Sequence, residues 1–219
     1  MIKGILFDVG GVLAHDVWEN MLLDDEKSVT QILGLNSDRV ATVARELWKE
    51  FAHRSTTPAV DWRTLEFEYW RSFIQQLGLR QSPKYFIDRT NEFIQPVPGM
   101  IDLLSELRGR DIKLAICSNN TEFWFARQMD KLNLREFFNP DQMIVSSRIG
   151  MSKGSPTFRM FEAAIESLQV NKKNCILVDD RETSILRSVE FGLAAIIFPS
   201  HSDRGAQYLK LLLQKLAVL

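Results

Sequence analysis

The sequence predicts an α/β protein: a Rossmann-like core with a parallel sheet and helices on both faces, together with an inserted all-helical subdomain. Two patterns lead to this prediction. Short apolar runs alternate with helical patterns over most of the chain, whereas residues 14–95 carry helical patterns alone. Because parallel strands are joined by crossovers that are usually helices, the alternation favours a parallel sheet.

Five short apolar runs are the predicted strands. Most are continuously apolar, which is typical of strands buried on both faces of a sheet. They are IKGILF (2–7), IKLAIC (112–117), MIVS (143–146), CILVD (175–179) and AAIIF (194–198). We expect helices over 99–109, 121–132, 156–168 and 182–191, and a last one in YLKLLLQKLAVL (208–219) docked on the sheet.

The stretch between the first two strands is predicted to be a helical unit of its own. A structureless loop as long as residues 14–95 is rare inside a compact domain. We therefore expect a helical cap over 14–95 and a core made of residues 1–13 and 96–219. Four of the five tryptophans lie in the cap range. We expect them to form its small core, with a contact surface or a pocket wall as the alternative.

Capping residues mark the expected helix ends in this unit. In SDRVATVARELWKEF (37–51), apolar residues recur at helical spacing and Ser37 is the expected N-cap. Gly34 and Gly78 stand where helices end at a left-handed glycine. Ser82 precedes Pro83 at the start of a further helix, the order that helix N-termini favour.

The composition indicates an ordinary globular protein. Twenty-seven basic and 28 acidic residues give a net charge of -1, so no overall field favours nucleic acid or an anionic membrane. No apolar run approaches the ~20 residues of a membrane span. Asp8 interrupts the short apolar N-terminal stretch, so we expect no signal peptide and a cytoplasmic protein. Cys117 and Cys175 fall at opposite ends of their strands, so we expect them to pack in the core without a disulfide.

Polar residues follow four of the predicted strands. In an open parallel sheet, ligands bind outside the carboxyl ends of the strands, so these residues are expected to meet at one edge. They are Asp8 after the first strand, Ser118, Asn119 and Asn120 after the second, Gly150 and Lys153 after the third, and Asp179 and Asp180 after the fourth.

This combination of side chains suits phosphoryl transfer. A carboxylate can attack phosphorus and form an acyl phosphate. Three carboxylates at one edge repel each other unless a cation lies among them, and Mg²⁺ prefers oxygen ligands. Lys153 can neutralise phosphate charge, and Ser118 with the following helix N-terminus can hold phosphate oxygens. Gly10 and Gly11 let the backbone turn tightly beside the ligand.

At these residues the sequence resembles the haloacid dehalogenase (HAD) superfamily of hydrolases over nearly its whole length. ILFDVGGVLA (5–14) is similar to the first motif of that superfamily and LAICSNN (114–120) to the second. IGMSKGSPTFRMFE (149–162) is similar to the lysine motif and CILVDDRETSI (175–185) to the acidic fourth motif. The insert resembles its helical (C1) cap. The resemblance is nearest to the bacterial sugar-phosphate phosphatase branch.

The resemblance implies a Mg²⁺-dependent enzyme and a role for each matching residue. Asp8 would be both nucleophile and metal ligand. The other implied metal ligands are the Gly10 carbonyl and Asp180, with Asp179 as a ligand or an outer acid. Ser118 and Asn119 are the implied phosphate-binding residues, and Lys153 is the implied catalytic lysine that also contacts the phosphate.

Three departures from the family pattern bear on the mechanism. Most phosphatases of this superfamily have an aspartate two residues after the nucleophile as general acid and base, and this chain has Gly10. Gly154 replaces the usual proline after the lysine, and Thr183 and Ser184 stand where a further acid is usual. A missing general acid–base costs roughly 10²–10⁴-fold in rate, and less when the leaving group is already good.

The nearest residues that can replace the missing aspartate lie at the entry to the cap. They are His15, Asp16 and Glu19. Water is the other candidate.

The sequence therefore predicts a Mg²⁺-dependent phosphatase that acts on a small phosphorylated metabolite, as a monomer or a homodimer. One alternative is a weak or inactive HAD fold retained for binding or regulation. A second is a 2-haloacid dehalogenase, which also lacks the second aspartate. Against it, no arginine closely follows the first motif, and a metal-free enzyme needs no acidic pair. A receiver domain is rejected, because its paired acids come on the first strand.

Overall fold

The computed structural model describes residues 1–24, 26–54, 61–200 and 204–218, with the backbone alone for Asp24, Ala52, His53 and Trp62. One sheet of five parallel strands forms the centre of the molecule, as predicted. The strands are β1 (Gly4–Phe7), β2 (Lys113–Ser118), β3 (Met143–Val145), β4 (Cys175–Asp179) and β5 (Ala194–Ile197), in the spatial order β3-β2-β1-β4-β5.

The register of the sheet brings the ends of its central strands level. Phe7 of β1 pairs with Ile116 of β2 on one side and with Val178 of β4 on the other. Residues that follow these three strands therefore emerge at one edge. β1 is buried throughout, whereas the edge strand β5 leaves Ala194 and Ile197 exposed. Its apolar sequence predicted more burial than an edge position provides.

Helices cover both faces of the sheet. The helices that follow the cap region are α6 (Met100–Gly109), α7 (Glu122–Lys131), α8 (Ser146–Ile149), α9 (Arg159–Leu168), α10 (Glu182–Glu190) and α11 (Gly205–Lys215). Ile5 and Phe7 of β1 pack in one core cluster with residues of α6, α7 and α11. Leu6, which points the other way, packs in a second cluster with α9. The C-terminal helix docks on the sheet as expected.

Both cysteines lie in the second cluster. Cys117 and Cys175 are buried and free, which confirms the expectation of core packing without a disulfide. Within the part of the chain that the structure describes, no helix is long and apolar enough to cross a membrane.

Between β1 and α6 the described residues form helices joined by turns, with no strand among them beyond isolated bridges of Ala14 to Gly10 and Pro96. It contains α1 (Val17–Glu19), a π-helical turn (Asn20–Asp24), α2 (Val29–Leu33), α3 (Ser37–Arg54), α4 (Trp62–Leu77) and α5 (Pro83–Phe93). We refer to α1–α5 as the cap helices. Their connections to the core run side by side, since His15 N–H donates to the Gln95 carbonyl at 3.0 Å and Val97 N–H to the Leu13 carbonyl at 3.1 Å. The division at residues 13/14 and 95/96 stays a prediction.

Most of the expected helix caps are confirmed. Gly34 and Gly78 end α2 and α4 with φ of 62° and 68°, and Ser82 caps α5 by accepting a hydrogen bond from Tyr85 N–H. The expectation for α3 was wrong by one residue. Ser37 is already helical, and the Asn36 side chain accepts from Arg39 N–H at 2.9 Å. Asparagine caps a helix as well as serine does, so both residues satisfied the pattern.

The cap helices share a core with α7. Trp70 is fully buried among Tyr69, Phe73 and Phe86, and the same cluster includes Phe123 and Trp124 of α7. Trp18 and Trp48 are only partly buried against this cluster, and the side chain of Trp62 lies outside the described residues. Among the cap tryptophans whose side chains the structure describes, the expected core role therefore holds fully for Trp70 and only in part for Trp18 and Trp48.

A buried ion pair also joins the cap to α7. Glu66 of α4 is 1% exposed and forms a two-point ion pair with the Arg127 guanidinium. Burial raises the pKa of Glu66, although Arg127 opposes this shift. The pair fixes the position of α4 over α7, because removal of either partner leaves a desolvated polar group in the cap core.

Arg127→Met should therefore destabilise the protein, by about 2–4 kcal/mol in the free energy of unfolding, because it leaves Glu66 buried and unpaired. Urea denaturation measures the change. The matched control is Arg135→Met, since Arg135 pairs with Asp130 on the surface and should cost at most about 1 kcal/mol. Equal losses in the two variants would contradict a structural role for the buried pair.

Candidate active site

The structure brings together the predicted polar residues at the carboxyl edge of the sheet. Asp8 directly follows β1, Asp179 ends β4 and Asp180 follows it. Lys153 lies in the loop between α8 and α9 and reaches back to both strands. These four residues, drawn from three separate segments of the chain, form one cluster.

Lys153 is the centre of this cluster. Its side chain is 1% exposed, and its Nζ lies 2.9 Å from Asp8 Oδ2 and forms a second ion pair with Asp179 Oδ2. Burial alone would lower the pKa of Lys153, but the carboxylates of Asp8 and Asp179 outweigh it and hold the pKa above its usual value. The lysine is therefore a permanent cation at the site.

The three carboxylates have different hydrogen-bond partners. Asp8 Oδ1 accepts from Val9 N–H at 2.7 Å, and Asp179 Oδ1 accepts from Arg181 N–H at 2.9 Å. Both oxygens of Asp179 are thus engaged. Asp180 Oδ1, by contrast, is buried with no hydrogen-bond partner among the described residues.

This acidic cluster fits a divalent cation. Oxygens of Asp8, Asp179 and Asp180 all lie within 4.8 Å of one another. Burial, and then the charges of Asp8 and Asp179, raise the pKa of Asp180 to about 7. The charge of Arg181 opposes this shift without reversing it, and the buried Oδ1 of Asp180 has no hydrogen-bond partner among the described residues. Clustered carboxylate oxygens are the donor set that Mg²⁺ prefers.

The two glycines after Asp8 have different roles. Gly11 has φ of +77°, and a Cβ there would lie 2.3 Å from Asp180 Oδ2. The fold therefore requires glycine at this position. Gly10 has no positive φ, and a Cβ there would meet nothing within 4 Å. Space exists for the side chain that the family pattern places at this position.

The predicted phosphate-binding residues lie beside the N-terminus of α7. Ser118 Oγ and Thr121 Oγ1 are buried with no hydrogen-bond partner in the described structure. Asn119 Oδ1 accepts from Lys153 N–H at 2.8 Å, so this side chain also holds the lysine loop in place. Thr121 was not predicted, although its position at the start of a helix after a strand was a usable signal.

A cavity of about 360 Å³ connects this cluster to the cap helices. Its lining residues are Asp8, Gly10, Asp16, Val17, Trp18, Arg45, Trp48, Lys49, Asn119, Asn120, Trp124, Gln128 and Arg181. Sequence reasoning missed Arg45, Lys49 and Arg181. Arg181 could have been predicted, because it directly follows the acidic pair at the end of β4. Arg45 and Lys49 could not, because no sequence pattern distinguishes the pocket residues of a surface helix from its other polar residues.

Of the three candidates for the missing acid–base, Asp16 lines the cavity. Its Oδ1 caps α1 by accepting from Glu19 N–H at 3.0 Å, and its Oδ2 lies 3.4 Å from Arg181 Nη2. Glu19 lines a neighbouring groove. His15 is partly buried, and it is not among the described residues that line the cavity or this groove.

The sheet order, the position of the helical cap and the carboxylate cluster agree with the class of hydrolase that the sequence resembles. Comparison with known proteins gives the family. The chain belongs to the haloacid dehalogenase-like hydrolases, whose family model matches residues 2–186. The nearer resemblance to the sugar-phosphate phosphatase branch stays a prediction.

Individual relatives are distant. Pyrimidine 5'-nucleotidase YjjG of Escherichia coli is 26% identical over 163 residues, which cover 73% of this chain and 68% of that protein. The L-2-haloacid dehalogenase of Xanthobacter autotrophicus matches in fold with a TM-score of 0.63 at 18% identity, over 97% of this chain and 83% of that one.

A HAD family enzyme of Bacteroides thetaiotaomicron also matches in fold. Its structure holds magnesium and inorganic phosphate, and it aligns with a TM-score of 0.58 at 18% identity, over 95% of this chain and 100% of that one.

Gly11→Ala should destabilise the protein by at least about 1–2 kcal/mol, because alanine is strained at a left-handed position and its Cβ displaces the Asp180 carboxylate. Thermal and urea unfolding measure the loss. Gly10→Ala is the matched control one residue away, expected to change the stability by less than about 0.5 kcal/mol. The reverse order of the two effects would disprove this account of the turn.

Proposed function

We propose that this hydrolase is a Mg²⁺-dependent phosphatase that cleaves a small phosphomonoester through an aspartyl-phosphate on Asp8. The observation that carries the proposal is the Asp8–Lys153–Asp179 cluster with the unpaired Asp180 oxygen beside it. Family membership and the activity named for the E. coli relative support it.

Mg²⁺ would be held by Asp8, Asp180 and the Gly10 carbonyl, with Asp179 in an outer position. Asp179 uses both oxygens for Lys153 and Arg181 N–H, so its main contribution is to orient the lysine. When bound, the metal neutralises carboxylate charge and polarises the phosphoryl group.

The chain's own residues then carry the two chemical steps. An oxygen of Asp8 attacks phosphorus, the bond from phosphorus to the leaving oxygen breaks, and the leaving group departs either as an anion or, with a proton from water or Asp16, as an alcohol or phenol. Water then attacks the phosphorus of the acyl phosphate and regenerates Asp8 with release of inorganic phosphate. Lys153 stabilises the phosphoryl oxygens, and Ser118, Asn119 and the α7 N-terminus hold them.

The leaving-group step is the one that this site supports least. Gly10 offers no proton, so the leaving oxygen must be stable by itself or receive a proton from water or Asp16. The proposal therefore favours substrates with acidic leaving groups, such as acyl, sugar 1- or aryl phosphates.

One observation removes an argument against the dehalogenase alternative. Arg45 of α3 lines the cavity, so the lack of an arginine close to the first motif no longer counts against it. Release of chloride from 2-chloropropionate that survives EDTA would favour this activity, whereas phosphate release that EDTA abolishes favours the phosphatase.

A binding or regulatory role is the remaining alternative. It predicts no turnover of any phosphoester, and failure to bind Mg²⁺ or the phosphate mimic BeF₃⁻ would favour it. Silence across a broad panel of phosphometabolites, with Mg²⁺ present, would favour this role over catalysis.

Asp8→Asn should reduce phosphate release by at least about a thousandfold, because the amide cannot form the acyl phosphate. Phosphate release from an aryl phosphate with Mg²⁺ measures the effect. Asp102→Asn, on the exposed side of α6, is the control and should keep full activity. Full activity of Asp8→Asn would overturn the proposed nucleophile.

Gly10→Asp should raise kcat for alkyl phosphates by about 10²–10⁴-fold and change kcat for aryl phosphates little, because it supplies a proton donor in open space. Steady-state rates with glycerol 3-phosphate and p-nitrophenyl phosphate measure the contrast. Equal effects on both substrates would show that leaving-group protonation does not limit the rate. Gly10→Asn is the control, because it adds a side chain of the same size that cannot act as an acid.

A further inference from the structure

Two cations of cap helix α3 line the cavity. Arg45 and Lys49 stand one helical turn apart, so their side chains share one face of the helix. Both are exposed, and neither has an ion pair with a carboxylate of the described residues. Exposed cations without a partner are common, as Arg71 of α4 shows. What distinguishes Arg45 and Lys49 is that both line the cavity of the reacting aspartate.

On the core side of the cavity, the cations are already paired with carboxylates. Lys153 is enclosed by Asp8 and Asp179, and Arg181 contacts Asp16 at 3.4 Å. Arg45 shares a neighbouring groove with Glu19 and Asp180, but neither Arg45 nor Lys49 forms an ion pair with a described carboxylate. Among the described residues of the cavity, these two cations are therefore available to an anionic part of a ligand.

The direction of attack places the leaving group near these cations. In phosphoryl transfer the attacking and leaving oxygens lie roughly in line across phosphorus. Asp8 attacks from the end of β1, so the leaving group extends away from the sheet and toward the cap helices. The cations of α3 therefore meet the leaving group rather than the transferred phosphoryl group.

Aromatic side chains line the cavity beside these two cations. Trp48 lies between the two cations in the sequence and also lines the cavity, where it stacks on Trp124 with ring centroids 4.9 Å apart. Apolar rings exclude water and lower the local dielectric constant, so a charge contact beside them is stronger than on an open surface.

We propose, on the basis of the phosphatase function above, that the leaving group of the substrate carries a second anionic group that Arg45 and Lys49 bind. The group is a carboxylate or a further phosphate, since both are small oxyanions that Arg and Lys recognise. A volume of about 360 Å³ suits a small metabolite of this kind.

Three aryl probes with one shared ring test this proposal. They are phenyl phosphate, 4-carboxyphenyl phosphate and 1,4-phenylene bisphosphate, measured with Mg²⁺. We expect kcat/KM for at least one doubly anionic probe to exceed that for phenyl phosphate by about tenfold or more, and the better of the two identifies the anion. Arg45→Gln/Lys49→Gln should bring this ratio close to one.

Two control variants separate a specific contact from a general loss of charge. Arg71→Gln removes one positive charge from the cap outside the cavity and should leave the ratio unchanged. Arg45→Lys/Lys49→Arg keeps both charges and should retain most of the preference. A loss of preference in Arg71→Gln would overturn the proposal, because it would reflect the overall field.

Failure of the inference differs from failure of the phosphatase function. A ratio near one in the unmodified protein, or an equal fall for all three probes in the double variant, overturns the second anion site while phosphatase activity persists. If no probe is hydrolysed, the phosphatase proposal fails. In that case, calorimetry with Mg²⁺ measures the dissociation constants of the same probes. Tighter binding of a doubly anionic probe than of phenyl phosphate, lost in the double variant, would still support the anion site, and equal binding of all three would overturn it.

Discussion

The buried ammonium of Lys153 is the interaction on which the rest of the site depends. A cation in the interior needs anionic partners, and its partners here come from two separate strands, Asp8 after β1 and Asp179 at the end of β4. The backbone of Lys153 is in turn held by Asn119 after β2. The lysine loop can therefore dock only on a correctly assembled sheet, so the constraint that completes the fold also positions the carboxylate of Asp8, the proposed nucleophile.

Helix α7 extends this arrangement to the cap. Phe125 and Met129 pack on the sheet, whereas Phe123 and Trp124 belong to the core of the cap helices and Arg127 binds the buried Glu66. The N-terminus of the same helix faces the proposed phosphate position. One helix thus fixes the distance between the phosphate and the cap wall, which explains why Trp124 serves both as core and as lining of the cavity.

Much of this structure was predictable because its signals are local. Buried strands, helix caps and the polar residues at strand ends each depend on a few neighbouring residues, and the level register of β1, β2 and β4 brings those ends together. The contacts of the cap were not predictable in this way. Arg45 and Lys49 belong to an ordinary polar helix face, and the packing of α3 on α4, with Trp48 stacked on Trp124 of α7, places them in the cavity. The exposure of β5 was missed for the same reason, since sequence does not state which strand lies at the edge.

Gly10 and Gly11 show how structure separates a constraint of the fold from one of the chemistry. Gly11 is required, because its backbone is left-handed and Asp180 occupies the space of a side chain. Gly10 meets neither condition, so nothing in the packing explains the missing carboxylate. In the proposed mechanism, the lack of a proton donor at this position makes turnover depend on how well the leaving group bears negative charge. In the same mechanism the leaving group lies against the cap helices, so the lack of a proton donor at Gly10 gives the residues of α3 a larger part in the choice of substrate.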